Sequence, residues 1–414
     1  MLLIVTVLVV AANLRPAISA VGPLLEQIRS ATGLSPSLLG LLGAIPVLSF
    51  GVISPFVHVL SLRWGLERSI FASLLLLTAG TVVRSLPPGT LPGDAATSAQ
   101  LSLLSGTAIL SVAIGIGNVL VPAVVKRDFP DRVPLMTGLY TATMAGSAAL
   151  ASGSAVPLSG AVGWELALGA GALLALAAAG LWSLRLHRRS GPPESQRQGG
   201  RASAAGPGAS GSQRLPSMWC SPVAWQVTAY FALQSGIFYL LLTWYPAIQA
   251  YHGIGEAYAG WMLSLWQGVG IAASLLVGPV LQRARDQRMV SFLVCCTMAG
   301  SLVGLLLAPA WVAVWSVLGG FSTATMLLLA LTMISLRART PQEAGKLSGM
   351  AQEAGKLSGM AQGVGYLCAA AGPLMAGAVF DLTGSWNPVL YGLLAAVGLL
   401  AVAGLLAGRS VHTH

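Results

Sequence analysis

Residues 6–25 read TVLVVAANLRPAISAVGPLL, an apolar run that is interrupted in its middle by Asn13-Leu14-Arg15-Pro16. A run of about 20 mostly apolar residues is long enough to cross a bilayer as a helix. Pro16 cannot donate a backbone hydrogen bond and disfavours helical geometry at Arg15, so the sequence predicts a break in this helix. At a rise of ~1.5 Å per residue, Arg15 would lie near the middle of the membrane. Because a cation is costly at that depth, an arginine there usually serves a function.

The rest of the chain has the composition of a polytopic membrane protein. Of its 414 residues, 55% are hydrophobic and only 8% are charged, far from the average of soluble domains. We predict an all-α fold of twelve transmembrane helices, and the first is expected to be a retained helix and not a signal peptide, because it has no basic leader. The predicted segments are 2–26, 36–60, 67–86, 100–124, 133–157, 164–186, 222–250, 257–281, 288–308, 311–336, 348–379 and 386–408.

The distribution of positive charge predicts the orientation in the membrane. Lysine and arginine are retained on the cytoplasmic side during insertion. If the N-terminus is cytoplasmic, all of the 22 Lys and Arg residues except Arg15, Arg29 and Arg84 fall on the cytoplasmic side. We therefore expect both termini in the cytoplasm and a multi-pass protein of the cytoplasmic membrane. Because the basic residues are spread over the loops between helices, the net charge of +10 does not indicate nucleic-acid binding.

A polar segment divides the twelve predicted helices into two sets of six. Residues 187–217 are rich in Gly, Pro, Ser, Gln and Arg, a composition that cannot bury enough apolar surface to fold. We predict an N-terminal six-helix half at 1–186, a cytoplasmic linker at 187–217 and a C-terminal six-helix half at 218–414. Proline and glycine positions recur in the same order in both halves, which indicates that the halves are parallel repeats.

Three stretches resemble one family of membrane transporters. Residues 12–25 (ANLRPAISAVGPLL), 116–126 (IGNVLVPAVVK) and 357–366 (LSGMAQGVGY) are similar to the cyanate permease and 2-nitroimidazole transporter branch of the major facilitator superfamily. The resemblance implies two parallel six-helix halves with a substrate site near the midplane between them. It also implies a secondary transporter for a cyanate-like anion or a nitroimidazole-like heterocycle. The substrate and the direction of transport stay open.

The loop between the second and third helices departs from the pattern of the superfamily. Its members often carry a Gly-x-x-x-Asp-Arg-x-Gly-Arg motif there, in which charged residues clasp helix ends. Arg63, Gly65 and Arg68 match this motif, but its aspartate is absent. The departure leaves the predicted fold intact and puts the usual charge clasp in doubt.

One further feature is a tandem duplication. Residues 343–352 are repeated letter for letter as residues 353–362. Only the second copy is continuous with the stretch that resembles the family. We interpret the duplication as neutral or as a sequence artefact.

Ten residues are candidates for the substrate site. A guanidinium offers a planar fork of donors that fits a small planar anion, so Arg15 is the central candidate. The others are polar or aromatic residues on helices that line the cavity in the superfamily, and each could instead make a contact between helices. They are Asn13, Asn118, Tyr140, Gln234, Tyr239, Trp266, Gln267, Gln362 and Tyr366. Trp244 and Trp261 are expected to be anchors at the membrane interface.

The acidic residues bear on the class of substrate. None of the twelve Asp and Glu residues falls in the middle of a predicted span, whereas exporters of cationic drugs commonly rely on a buried carboxylate. A small anionic or polar substrate is therefore favoured, and multidrug efflux is the alternative. Proton coupling would need a carboxylate at the membrane edge, the substrate itself, or a histidine such as His58 or His252.

Other classes of function find less support in the sequence. No cluster of nucleophiles, histidine pairs or metal ligands indicates an enzyme, a cofactor or a metal site, and no ring of charges indicates a channel. The four cysteines form no pair in an external loop, so we expect no disulfide. One twelve-helix unit encloses a complete pathway, and we therefore expect a monomer.

Overall fold

A computed structural model describes residues 2–188, 222–283, 286–337 and 360–408, and in these ranges the chain is helical without a strand. The helices of the first half are α1 (Leu2–Asn13), α2 (Pro16–Ser19), α3 (Val21–Thr32), α4 (Pro36–Trp64), α5 (Leu66–Arg84), α6 (Ala95–Asp128), α7 (Val133–Val162), α8 (Trp164–Gly169) and α9 (Gly171–Arg188). Those of the second half are α10 (Pro222–Tyr251), α11 (Glu256–Arg283), α12 (Arg288–Leu307), α13 (Val312–Arg337), α14 (360–369), α15 (Ala371–Thr383) and α16 (Asn387–Ala407).

The order of the helices follows the twelve predicted spans. Ten described helices are long and apolar enough to cross a membrane, or eleven when the bent first span is counted. The fifth predicted span is α7, which has 30 residues, is rich in Ala, Gly, Ser and Thr, and is not among those helices. The predicted linker falls largely outside the described residues, as do residues 343–359 of the duplication.

The first span is broken at the position that the sequence predicts. Arg15 has φ −121° and ψ −34°, and it lies between the end of α1 at Asn13 and the start of α2 at Pro16. A change of direction, of 43°, follows between Ser19 and Val21. Pro23 has no N–H for the carbonyl of Ser19, which gives this bend a local cause. The break at Arg15 is therefore confirmed, and the bend beyond it was not predicted.

The two halves meet along several helix pairs. We call the end of the bundle where α9 ends and α10 begins the linker face, and the other end the opposite face. Across the boundary between the halves, α4 packs on α15, α7 on α11, and α3 on α10. These contacts bring the break at Arg15 next to the second half.

Small residues close the boundary towards the opposite face. A Cβ atom on Gly377 of α15 would lie 2.2 Å from the backbone oxygen of Pro36, which begins α4. Similarly, a Cβ on Gly22 of α3 would lie 2.6 Å from the backbone oxygen of Leu242 on α10. Close approach of helix backbones is what glycine permits in membrane bundles. The halves are therefore in direct backbone contact on this side.

Two polar contacts reinforce this closure. The carboxylate of Asp381 accepts a hydrogen bond from the backbone N–H of Ser37 at 2.8 Å and another from the Ser37 hydroxyl. Because Ser37 is in the first turn of α4, the carboxylate also lies where the positive end of the helix dipole favours an anion. Gln27 of the first half donates to Glu256 of the second half at 3.1 Å.

At the linker face, an ion-pair cluster joins three helices of the first half. Arg185 of α9 contacts Glu67 of α5 at 2.7 Å and also pairs with Asp128 at the end of α6, while Arg127 pairs with both carboxylates. Arg185 is almost fully buried, and its guanidinium lies 4.4 Å from the ring of Trp182. A charge clasp thus exists although the aspartate of the usual motif is missing. In the described residues its members all belong to the first half.

We predict that Gly377→Val opens the opposite face. The added side chain would overlap the backbone of Pro36, and overpacking of this kind costs about 1–3 kcal/mol, so the population should move towards a state with the halves apart on this side. Leu166 and Tyr391 are exposed, one on each half. The distance between spin labels at these two positions, measured by pulsed electron paramagnetic resonance, should become longer.

The matched control is Gly392→Val on α16, where an added Cβ would meet no atom within 4 Å. It should leave the distance distribution unchanged. An unchanged distribution for Gly377→Val would contradict the assigned role of this contact.

Candidate functional site

A cavity of about 360 Å³ lies between the two halves. In the first half it is lined by Arg15 and by α7 from Thr137 to Ala145, and in the second by residues of α10, α11, α13 and α14. It extends from the middle of the bundle towards the linker face, because its lining includes Thr137 near the start of α7 and Leu331 near the end of α13. Towards the opposite face the closed boundary described above ends it.

Arg15 contributes a positive charge to this cavity. Its guanidinium carbon lies 5.6 Å from the centre of the Phe238 ring, within the range of a cation–π contact. Throughout the described chain, its side chain makes no ion pair and no hydrogen bond with another residue. A guanidinium carries five N–H donors. Those donors are therefore available to a solute in the cavity.

Six of the ten predicted site residues line the cavity, namely Arg15, Gln234, Tyr239, Trp266, Gln267 and Tyr366. The other four are Asn13, Asn118, Tyr140 and Gln362, which are not part of the lining. Asn13 donates its amide to the backbone oxygen of Val9 at 2.8 Å, inside its own helix. The role of all ten in binding substrate stays a prediction, and the cavity places only the first six within reach of a solute there.

Gln267 links the two halves beside the cavity. Its side-chain oxygen accepts a hydrogen bond from Ser19 of α2 at 3.2 Å, and its amide donates to Ser152 of α7 at 2.9 Å. Both partners belong to the first half, whereas Gln267 lies on α11 of the second. Ser19 is one helical turn beyond Arg15. In this conformation, the amide of Gln267 therefore helps to close the cavity.

Aromatic side chains form the wall beside Arg15. Phe238, Tyr239, Trp266 and Tyr366 line the cavity, and Trp266 is fixed by a hydrogen bond from its indole N–H to the hydroxyl of Thr323 at 2.9 Å. The sequence analysis missed Phe238. An apolar residue in a spanning helix can face either the cavity or the lipid, and the sequence does not distinguish these two positions.

The two expected interfacial anchors differ in the structure. Trp244 is buried and donates its indole N–H to the backbone oxygen of Pro373 at 3.0 Å, so its assignment as an anchor is wrong. Its indole packs on Trp386 inside the second half. Trp261 is about half exposed, in agreement with an anchor.

Arg84 is a second arginine inside the bundle, on the span 67–86 at the end that the sequence analysis places on the external side. It ends α5 and is only 1% exposed. Its guanidinium donates to the backbone oxygen of Ala17 at 2.7 Å and to that of Leu168 at 3.2 Å. Arg84 supports α2, the helix that begins directly after Arg15.

The histidine candidates for proton coupling lie away from the described cavity lining or outside the described side chains. His252 is in the turn after α10 at the opposite face, where partial burial lowers the pKa of its imidazole. The side chain of His58 is not among those that the structure describes. His252 does not belong to the lining, and the coupling role of both histidines stays a prediction.

The sequence of the chain is similar to a known family of membrane proteins and to individual transporters. The profile of the Major Facilitator Superfamily matches residues 7–361. The chain is 38% identical over 409 residues to a 2-nitroimidazole transporter of Escherichia coli K12, which covers 99% of this chain and 95% of that protein. It is 28% identical over 389 residues to the cyanate transport protein CynX of the same strain, covering 93% of this chain and 91% of CynX.

A solved structure supports the fold independently. The D-xylose–proton symporter aligns with a TM-score of 0.73 over 98% of this chain and 96% of its own. The sequence identity is 14%, so this similarity concerns the arrangement of the helices alone.

We predict that Arg84→Met destabilises the protein and weakens the site. The substitution leaves two buried carbonyls without their charged donors, and such hydrogen bonds contribute about 1.5–3 kcal/mol each. The midpoint of thermal unfolding in detergent should fall by several degrees. Arg68→Met, at an exposed position on α5, is the control and should leave the midpoint within about one degree. Equal midpoints of thermal unfolding for both variants would show that Arg84 does not stabilise α2.

We predict that Gln267→Leu loosens the closure between the halves. Leucine keeps the approximate size of the side chain but cannot bond to Ser19 or Ser152, and each lost hydrogen bond contributes about 1 kcal/mol. The two bonds together correspond to about 2 kcal/mol, so the fraction of molecules with a long Leu166–Tyr391 label distance should rise about 30-fold while that fraction stays small. Gln27→Leu, which removes a peripheral bond between the halves, should have a smaller effect. A larger effect of Gln27→Leu would show that the closure depends on the periphery.

Proposed function

The chain belongs to the major facilitator superfamily, and on that premise we propose that it moves a small anionic or polar solute by alternating access around Arg15. Its family consists of membrane transporters and not enzymes. The proposed solute is a cyanate-like anion or a nitroimidazole-like heterocycle. Relatives that transport 2-nitroimidazole and cyanate suggest both kinds of solute.

The observation that carries this proposal is the unpaired guanidinium in the cavity. A cation inside a membrane protein is normally paired with an acid or bonded to carbonyls. Arg84 and Arg185 follow that rule, whereas Arg15 has no such partner in the described chain and faces the cavity. An anionic or strongly hydrogen-bonding solute would supply the missing partner.

The shape of the guanidinium favours flat acceptors. Its parallel N–H donors fit a group that presents two coplanar oxygens. A nitro group has this arrangement without a net charge, and cyanate offers a full negative charge at its ends. Gln234 and the tyrosine hydroxyls add neutral hydrogen-bonding groups to the same lining.

The closed and open sides of the cavity support alternating access. The halves touch through their backbones at the opposite face, while the cavity extends towards the linker face. Rocking of the two halves about the central site would exchange these sides. We place the linker face in the cytoplasm, because the basic residues of the sequence fall on that side. The structure then corresponds to a state that faces inward.

The charged residues of the cavity lining bear on which ion drives transport. Within the described residues, the cavity lining includes no aspartate and no glutamate. We infer that the charge of Arg15 is balanced by the cargo and that a coupled proton would travel with the substrate. A monomer in the lipid bilayer is sufficient for this mechanism, because one bundle contains both the cavity and its closure.

We predict that Arg15→Gln weakens binding and transport. Loss of charged hydrogen bonds should raise the KM or the Kd for cyanate and for 2-nitroimidazole about 10- to 100-fold. Arg15→Lys keeps the charge but not the planar fork, so it should restore cyanate binding more than 2-nitroimidazole binding. Uptake into proteoliposomes and calorimetry on purified protein would measure these effects.

The control is Arg29→Gln, which removes an exposed arginine paired with Glu26 outside the cavity. It should leave both solutes unaffected. Unchanged affinity of Arg15→Gln for every transported solute would overturn the proposal. Transport of a cationic dye in preference to both solutes would favour multidrug efflux.

A further inference from the structure

We infer that the cavity selects a flat aromatic or heteroaromatic ring that carries a carboxylate or nitro group, in preference to a small anion without a ring. This inference rests on the proposed function and narrows its substrate class. It follows from the aromatic wall, the position of Arg15 relative to that wall, and the size of the cavity.

The aromatic wall is continuous. The ring of Phe238 lies 5.1 Å from that of Tyr239 and 6.3 Å from that of Trp266, and Tyr239 lies 6.3 Å from Tyr366. All three pairs meet edge to face, an arrangement that aromatic rings prefer. An additional ring could join this set by the same contacts. Saturated or linear solutes have no equivalent interaction with it.

Arg15 lies at the wall and not apart from it. Its guanidinium is 5.6 Å from the centre of the Phe238 ring. A solute held by two oxygens at Arg15 therefore has its remaining atoms beside Phe238 and its neighbours. A ring attached directly to a carboxylate or nitro group would extend from the charge into the aromatic wall.

Two tyrosine hydroxyls complete the set of hydrogen-bonding groups. Tyr239 and Tyr366 line the same cavity as Arg15. Neither hydroxyl has a hydrogen-bond partner among the described residues, although both side chains line the cavity. A two-oxygen group can accept from Arg15 and from a tyrosine at once. A ring nitrogen could use the second hydroxyl.

The size of the cavity points in the same direction. A volume of about 360 Å³ lies in the range of pockets that bury a ring-sized ligand. A three-atom anion would leave most of it filled with water, and at the ceiling of ligand efficiency it would bind no tighter than about millimolar. A ring with its substituent displaces more water and gains contacts with the apolar wall.

The test compares three carboxylates that differ only in the attached group. Benzoate has a flat ring, cyclohexanecarboxylate has a saturated ring of similar size, and acetate has none. Calorimetry on the purified full-length protein should give a Kd for benzoate about 3- to 10-fold lower than for cyclohexanecarboxylate, the range expected from aromatic pairing. The Kd for acetate and for cyanate should be higher still.

Two variants test whether the aromatic wall causes the preference for benzoate over cyclohexanecarboxylate. Phe238→Leu should bring the benzoate and cyclohexanecarboxylate affinities within about twofold of each other, because the aromatic pair is lost while the cation stays. Phe292→Leu, at an exposed position on α12, is the matched control and should keep the preference. Arg15→Gln should weaken all three carboxylates together.

The outcomes separate this inference from the proposed function. If acetate and cyanate bind in an Arg15-dependent manner and benzoate gains nothing over cyclohexanecarboxylate, the ring selectivity is overturned and the anion site stands. If no carboxylate, cyanate or 2-nitroimidazole binding depends on Arg15, the proposed function itself fails.

Discussion

The guanidinium of Arg15 is held inside the bundle without a partner of its own in the described chain. The same bundle shows how it treats other arginines that are withdrawn from water. Arg84 donates to two backbone carbonyls, and Arg185 pairs with two carboxylates. Burial of a charge is tolerated when such partners are present. In the proposed function, the solute would supply the partner that Arg15 lacks.

The backbone around Arg15 makes this exception feasible. Pro16 ends the regular helix, so the side chain leaves the axis at a break and not from the surface of an intact helix. Arg84 donates a hydrogen bond to the backbone oxygen of Ala17 in the next short helix, α2. Ser19 on the same helix donates to Gln267 across the boundary between the halves. A single segment thus connects the charge with the closure. This arrangement offers a direct physical route by which an occupied site could bias the position of the halves.

Sequence reasoning located this site in part. Pro16 and the rarity of intramembrane cations identified the break and Arg15, and polar residues on the second half identified Gln234, Gln267 and the two tyrosines. The same reasoning selected Asn13, which the structure shows bonded to the backbone of its own helix. Polarity in a spanning helix indicates that a side chain needs a partner, but not whether that partner is solute or backbone. Phe238 illustrates the converse, since an apolar residue can face a cavity or lipid equally well.

The sequence by itself determined the class of fold, because a helix that crosses a membrane must satisfy its own backbone and present an apolar run of fixed length. It also determined the break in the first span, which depends on the local chemistry of proline. Only the tertiary structure decided which charges are compensated. Arg84, Glu67 and Asp128 contact partners that lie far away in the chain. The packing of the helices brings these partners together, and no local sequence pattern indicates it. The closure at Gly377 and Gln267 has the same origin, since it depends on how the helices of the two halves approach each other.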